Sequence, residues 1–198
     1  MTPNYLRVQQ YIKHEPGSVF LEIGSERGEG STDYLAELAE SFQTKLLTVD
    51  IDQQANNRVG AATHRNIEWH LGRAGSDWCK NVWPSIAKPI SFLYLDNFDW
   101  IWALDEKHAW IPGQIAEYQQ RWQIEMNNEN CQQEHFEQLM LLEPWLTPNA
   151  VIAMDDTLLV NGAWSGKCGP VVVYLKHRGW QIKDTVRGVI MQRVDSNT

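Results

Sequence analysis

The chain has 198 residues, 43% hydrophobic and 21% charged, which gives one domain with enough apolar material for a core and excludes a disordered chain. Lys and Arg number 17 against 25 Asp and Glu, and the net charge of −8 argues against a protein that grips phosphate backbones. Cys79, Cys131 and Cys168 lie far apart with no C-x-x-C pair, excluding a disulfide framework and a zinc site, and no run approaches the ~18 apolar residues of a membrane span. The N-terminal stretch MTPNYLRVQQYIKHEPG lacks a basic segment followed by an apolar one, so the expectation is a soluble, cytoplasmic protein that meets neither membrane nor nucleic acid. Among 10 tryptophans, Trp100, Trp102, Trp110 and Trp122 crowd into one short stretch.

Short, nearly continuous apolar runs at 19–23, 46–51, 67–71, 90–95 and 150–154 read as parallel strands buried on both faces. Helical patterns lie between them. Ser31 can cap a helix with Asp33 in its first turn and Leu35, Leu38 and Phe42 on one face; further helices fit 53–63, 76–83, 135–146 and 170–177. Alternating strand and helix predicts a doubly wound α/β sheet. Near the end, runs at 180–186 and 189–194 are separated only by Arg187-Gly188, a hairpin signature that makes the last strand antiparallel. One segment exceeds what a strand-to-helix connection needs: residues 97–132, which include the four crowded tryptophans. Residues 114–143 contain no Gly or Pro, and Ile115, Tyr118, Trp122 and Met126 keep helical spacing, so the insertion is expected to be helical with a break near 127–130.

Three elements carry the chemistry. In VFLEIGSERGEGST, residues 19–32, a strand runs into a turn with Gly24, Gly28 and Gly30 and then into a helix, whose first N–H groups are free to meet a ligand. The spacing is neither G-x-G-x-x-G nor a P-loop, and Gly166-Lys167-Cys168 does not complete a P-loop either. The second strand ends in Thr48-Val49-Asp50-Ile51-Asp52, where Asp50 lies beside the first loop and can accept both hydroxyl hydrogens of a ribose; Asp52 reads as a helix cap. The fourth and fifth strands end at Asp96 and at Asp155-Asp156. Neighbouring tips would bring three carboxylates together, and three anions repel unless a positive group sits between them; oxygen ligands favour a hard ion such as Mg²⁺. The competing reading makes Asp156 a cap and Asp96 a cofactor contact.

With E-x-G-x-x-x-G at Glu22 to Gly28, the acid at Asp50 and Gly72-Arg73-Ala74 after the third strand, the chain resembles the class I S-adenosylmethionine-dependent methyltransferases, and within them the metal-dependent small-molecule O-methyltransferases of the catechol and macrolide-sugar kind. The resemblance implies a Rossmann-like seven-stranded sheet in the order 3-2-1-4-5-7-6, a single domain over 1–198, and S-adenosylmethionine as cofactor. It implies that Glu22, Gly24, Ser25, Glu26 and Ser31 serve the methionine part, that Asp50 holds the ribose, that Arg73 and Ala74 border the adenine, and that Asp96 contacts the cofactor. It also implies that Asp96, Asp155 and Asp156 bind Mg²⁺. Where catechol-type relatives place a proton-accepting Lys, three residues after the metal Asp, this chain has Asp99, so the proton passes instead to His135, unless His135 is only a cap or a surface residue. Lys167, in the glycine-rich stretch before the last helix, could touch an anionic acceptor but reads rather as a solvated lysine. The expected reaction is O-methylation of a small sugar-like or aromatic acceptor, with the tryptophan-rich insertion as a lid or as a contact between two copies. The competing functions are a metal-independent methyltransferase on nitrogen or on a larger partner, and a nonenzymatic cofactor-binding module.

Overall fold

The computed structural model describes residues 3–13, 15–25, 30–55, 64–102 and 108–193. Five parallel strands, β1 (Val19–Ile23), β2 (Leu46–Asp50), β3 (Ile67–Leu71), β4 (Ile90–Leu95) and β5 (Leu146–Met154), form most of one sheet. A short antiparallel hairpin, β6 (Thr157–Val160) and β7 (Ala163–Gly166), stands outside it, and β8 (Trp180–Asp184) and β9 (Val189–Arg193) complete it. The order is β3-β2-β1-β4-β5-β9-β8, with β9 antiparallel to both neighbours. With the hairpin left out this is the expected 3-2-1-4-5-7-6.

Every residue of β1 and β4 is buried, which is why these strands read as continuous rather than alternating apolar runs. Successive side chains feed opposite faces. On one face Phe20, Leu46, Phe92 and Val151 pack with α1 (Ser31–Ser41). On the other, Leu21, Ile23, Leu93 and Ile152 pack under α2 (Gly75–Asn81), α3 (Trp83–Ile86), α5 (Asn128–Leu142) and α6 (Gly169–His177). Tryptophans outside the crowded stretch build this second core: Trp78 and Trp83 lie 5.6 Å apart between ring centroids, and Trp83 and Trp145 6.3 Å. An N-terminal 3-10 helix, Asn4–Gln10, is tied down by Asn4 Nδ2 donating to Met154 O (2.9 Å) and Arg7 donating to Asp184 (2.8 and 3.0 Å). The three cysteines are free and buried. No helix among the described residues is long and apolar enough to cross a membrane.

Two local expectations need correction. The cap position of α1 belongs to Gly30; Ser31 starts the helix and turns its hydroxyl to Glu22 instead. Of the helix expected at 53–63, Gln53 and Gln54 form a turn that leads into 3-10 geometry at Ala55, and residues 56–63 lie outside the described residues. The helix after the insertion begins at Asn128, not His135, because Asn127 caps it by accepting from Asn130 N at 2.7 Å. The insertion therefore comprises 97–102, α4 (Ile111–Glu117), a π-helical turn at Tyr118–Trp122 and an extended link to Asn127, with 103–107 outside the described residues. The break comes at Gln123, which takes the left-handed conformation (φ 59°).

Candidate active site

The C-terminal tips of β1 to β5 and the insertion enclose a cavity of about 780 Å³, within the range of small-molecule sites. At its β1 side, Gly24 (φ 94°) donates its N–H to Val49 O at 2.8 Å. A Cβ there would sit 2.6 Å from Asn97 Cα, so the loops after β1 and β4 touch only because position 24 is glycine. Asp50 also lines the cavity, and its carboxylate organises the first loop: Oδ2 accepts from Ser25 N (3.0 Å) and Ser25 Oγ (2.8 Å), and Oδ1 accepts from Asp52 N (2.7 Å). Arg73 and Ala74 reach the cavity from the end of β3.

Glu22 and Ser31 do not reach it. Glu22 is fully buried and accepts from Ser31 Oγ (2.7 Å), Thr32 Oγ1 (2.8 Å) and Thr48 Oγ1 (2.7 Å), so it ties β1, β2 and the start of α1 together from behind. Burial, against the three hydroxyls, raises its pKa from 4.5 to about 7. Ser25 is likewise buried and serves Asp50. Glu26 lies outside the described residues.

At the tips of β4 and β5, Asp96, Asp155 and Asp156 all line the cavity, and the positive group that three anions require is present. It is Lys167. Its Nζ lies 2.8 Å from Asp96 Oδ1 and 3.5 Å from Asp156 Oδ2, with the side chain 5% exposed, so the solvated lysine expected from sequence is a buried one. Burial alone would depress its pKa, but Asp96, Asp156 and Asp99 override it and hold the ammonium charged. The second oxygen of Asp96 accepts from Tyr94 OH at 3.2 Å. The hairpin explains the placement. Asn161 (φ 50°) and Gly162 (φ 81°) make a two-residue turn with both φ positive, returning Gly166 opposite Thr157. A Cβ on Gly166 would collide with the Asp156 carbonyl, and Lys167 N donates to that carbonyl at 3.1 Å.

The three aspartates do not fit a divalent ion. Among the described residues, the triad whose donor atoms all fall within 4.8 Å of one another is Asp33 and Glu37 in the first two turns of α1 with His64 before β3, while the ligand atoms of Asp96, Asp155 and Asp156 do not converge this closely. His135 does not fit a proton acceptor either. It sits midway along α5 with 0% exposure, its Nδ1 donating to Cys131 O at 2.7 Å. Burial, reinforced by Lys167, pushes its pKa down to about 3, so the ring is neutral and only weakly basic.

The insertion brings to the cavity Trp122, one of the crowded tryptophans, together with Asp99, Gln114 and Tyr118, to which the sequence reading gave no role. Asp99 lines the cavity, and its Oδ2 accepts from Tyr118 OH (3.0 Å) and from Gln114 Nε2. Tyr118 and Trp122 form a wall beside it, with Phe98 5.3 Å from Tyr118 and Trp122 5.1 Å from Tyr118 between ring centroids. Arg121 stacks on Trp122 and reaches Asp52 Oδ1 at 3.1 Å, joining the insertion to the β2 tip. Of the other crowded tryptophans, Trp102 and Trp110 are exposed.

No family model and no curated protein sequence matches the chain. Solved structures do. CalS11, a TDP-rhamnose 3'-O-methyltransferase of calicheamicin biosynthesis, superposes with a TM-score of 0.57 at 14% identity over 96% of this chain and 78% of that one. SMU.1697c from Streptococcus mutans, named as a methyltransferase and solved with SAH, gives 0.57 at 12% identity over 96% of each chain. A protein from Clostridium thermocellum named as an rRNA-methylase candidate gives 0.54 at 9% identity over 97% of each. At these identities the likeness is one of fold: the chain has the Rossmann-like fold of the class I S-adenosylmethionine-dependent methyltransferases, with a hairpin after the fifth strand and an aromatic insertion after the fourth.

Proposed function

We propose that the chain transfers the methyl group of S-adenosylmethionine to a hydroxyl of a small, ring-bearing acceptor. One observation carries the reading: a single cavity joins the cofactor-type tips, with Gly24, Asp50 and Ala74, to a second set of groups, Asp99, Tyr118, Trp122 and Lys167, that no cofactor-binding loop needs. Nine carboxylate residues and two cationic ones, Arg73 and Lys167, line this cavity. That balance suits a sulfonium cofactor bearing an ammonium group. When bound, S-adenosylmethionine supplies a methyl carbon on a positively charged sulfur leaving group.

Asp50 holds the ribose hydroxyls with the acceptor capacity left on its two oxygens, and the Arg73-Ala74 backbone borders the base. The Tyr118–Trp122 wall stacks on the acceptor ring and excludes water from it. Asp99, with Oδ2 fixed by Tyr118 and Gln114, takes the hydroxyl proton on Oδ1. The acidic lining disfavours a nucleotide-diphosphate sugar such as the one in the name of CalS11, and equally an rRNA, and favours an uncharged or amine-bearing ring.

Calorimetry with S-adenosylhomocysteine tests the cofactor reading; no heat of binding to the wild-type chain would remove it. Transfer from radiolabelled S-adenosylmethionine to amino sugars, neutral glycosides and nucleotide sugars then tests the acceptor class. Asp99→Asn is expected to lower kcat about 100-fold while leaving S-adenosylhomocysteine affinity within about two-fold, because a general base acts only on the chemical step. Unchanged kcat would take the proton away from Asp99.

A further inference from the structure

The premise that three strand-tip carboxylates demand a positive partner leads to a different partner from the one first expected. Lys167 Nζ lies at 2.8 Å from Asp96 Oδ1 and 3.5 Å from Asp156 Oδ2, between the tips of β4 and β5. Its backbone is locked. Lys167 N donates to Asp156 O at 3.1 Å, Cys168 N donates to Thr157 Oγ1 at 3.1 Å, and Gly166 packs against the Asp156 carbonyl, so the hairpin fixes where the side chain starts, and its burial (5% exposed) keeps the ammonium between the two strand tips. Tyr94 OH occupies the other oxygen of Asp96. A dication placed among these carboxylates would meet the ammonium at short range, with Asp96 and Asp156 already paired to Lys167 and the three carboxylates not converging on one point.

We propose that Lys167 is the built-in cation of this site: it takes the place of a divalent metal between Asp96 and Asp156, donates a hydrogen bond to the acceptor oxygen, and makes the reaction independent of any divalent ion. The ammonium has three donors, of which Asp96 and Asp156 engage at most two, and Lys167 lines the cavity together with Asp99. The acceptor O–H bond breaks with its proton passing to the Asp99 carboxylate. The oxygen's electron pair then forms the new bond to the methyl carbon, while the pair of the old S–CH₃ bond stays on sulfur, giving the methyl ether and neutral S-adenosylhomocysteine. Lys167 holds the oxygen while negative charge builds on it. This assignment rests on the methyl-transfer reading, and its test separates the two.

Wild-type chain titrated with Mn²⁺ and followed by electron paramagnetic resonance is expected to show no bound ion that Asp155→Asn removes, any ion held by Asp33, Glu37 and His64 persisting in that variant, and S-adenosylhomocysteine affinity is expected to be the same with and without EDTA. One tightly bound Mn²⁺ that Asp155→Asn removes would overturn the proposal whatever the activity. With an acceptor in hand, turnover in EDTA is expected to equal turnover in Mg²⁺. Lys167→Met is expected to lower kcat about 100-fold with S-adenosylhomocysteine affinity retained, and Lys167→Arg is expected to recover part of it. Turnover that appears only when Mg²⁺ is restored would overturn the proposal. Failure of S-adenosylhomocysteine to bind would instead strike the methyl-transfer reading and leave the Mn²⁺ result to stand alone.

Discussion

Asp50→Ala is expected to reduce S-adenosylmethionine affinity by about 10³-fold, the largest binding effect of any single substitution in the site. Two contributions add. A carboxylate accepting both ribose hydroxyls makes charge-assisted hydrogen bonds worth about 1.5–3 kcal/mol each, and each 1.4 kcal/mol is a factor of ten. The same carboxylate also organises the loop after β1, accepting from Ser25 N, Ser25 Oγ and Asp52 N, so its removal leaves the loop's donors without their partner. Asp50→Asn separates these parts in degree, since its amide oxygen can still accept from Ser25 while its NH2 accepts neither from Asp52 N nor from a second ribose hydroxyl. Calorimetry on wild type, Asp50→Asn and Asp50→Ala should give a graded loss, with the larger loop disruption seen as a lower melting temperature for Ala than for Asn. Equal affinities across the three would mean that Asp50 only builds the loop and that the ribose lies elsewhere in the cavity.

What the sequence made legible was set by distance along the chain. Gly24, Asp50, Arg73 and Ala74 follow strand ends directly, so recognising the strands places them, and Asp96 with Asp155-Asp156 follows from the same logic applied to β4 and β5. Lys167 stands 71 residues beyond Asp96 and depends on a hairpin outside the main sheet. Its signal was present: Asn161-Gly162 between two short β-prone runs marks a two-residue turn that brings Gly166-Lys167 back beside Asp156. His135 was misplaced because the stretch 114–143 has no Gly or Pro to mark where α5 begins. The Asn127 cap supplies the missing boundary, and once the helix starts there, Cys131, His135, Leu139 and Leu142 fall on one buried face. A histidine on that face belongs to the core. Glu22 reads as a cofactor residue from its motif position, but it is the next residue, Ile23, that lines the cavity, while Glu22 faces the hydroxyls of Ser31, Thr32 and Thr48. Nothing in a single sequence shows that these hydroxyls converge.

The convergence on Glu22 has a measurable consequence for stability. The buried carboxyl has a folded pKa of about 7 against an ordinary 4.5. Between those values the folded chain keeps a proton that the unfolded chain releases, so the contribution to stability is fully present below pH 4.5 and is lost as pH rises through about 7. At 1.36 kcal/mol per pKa unit the loss is about 3 kcal/mol, or about 6–12 °C in melting temperature for a chain of this size. Glu22→Gln removes the titration and keeps the shape. Its amide can donate where the protonated acid did, Ser31 and Thr48 can rotate to accept, and Thr32 Oγ1 already lies 3.1 Å from Ser25 O as an alternative acceptor. Melting curves of the two proteins are therefore expected to agree near pH 4.5 and to separate with rising pH, the variant being the more stable at pH 8. Curves that run parallel from pH 4.5 to 8 would show that the three hydroxyls hold the carboxylate ionised throughout. The function should respond in the same sense. Asp50 raises the Glu22 pKa through its own negative charge, so a protonated Glu22 is the form compatible with an ionised Asp50 ready for a ribose; the variant, fixed in the neutral form, should bind S-adenosylhomocysteine at pH 8 at least as tightly as the wild type.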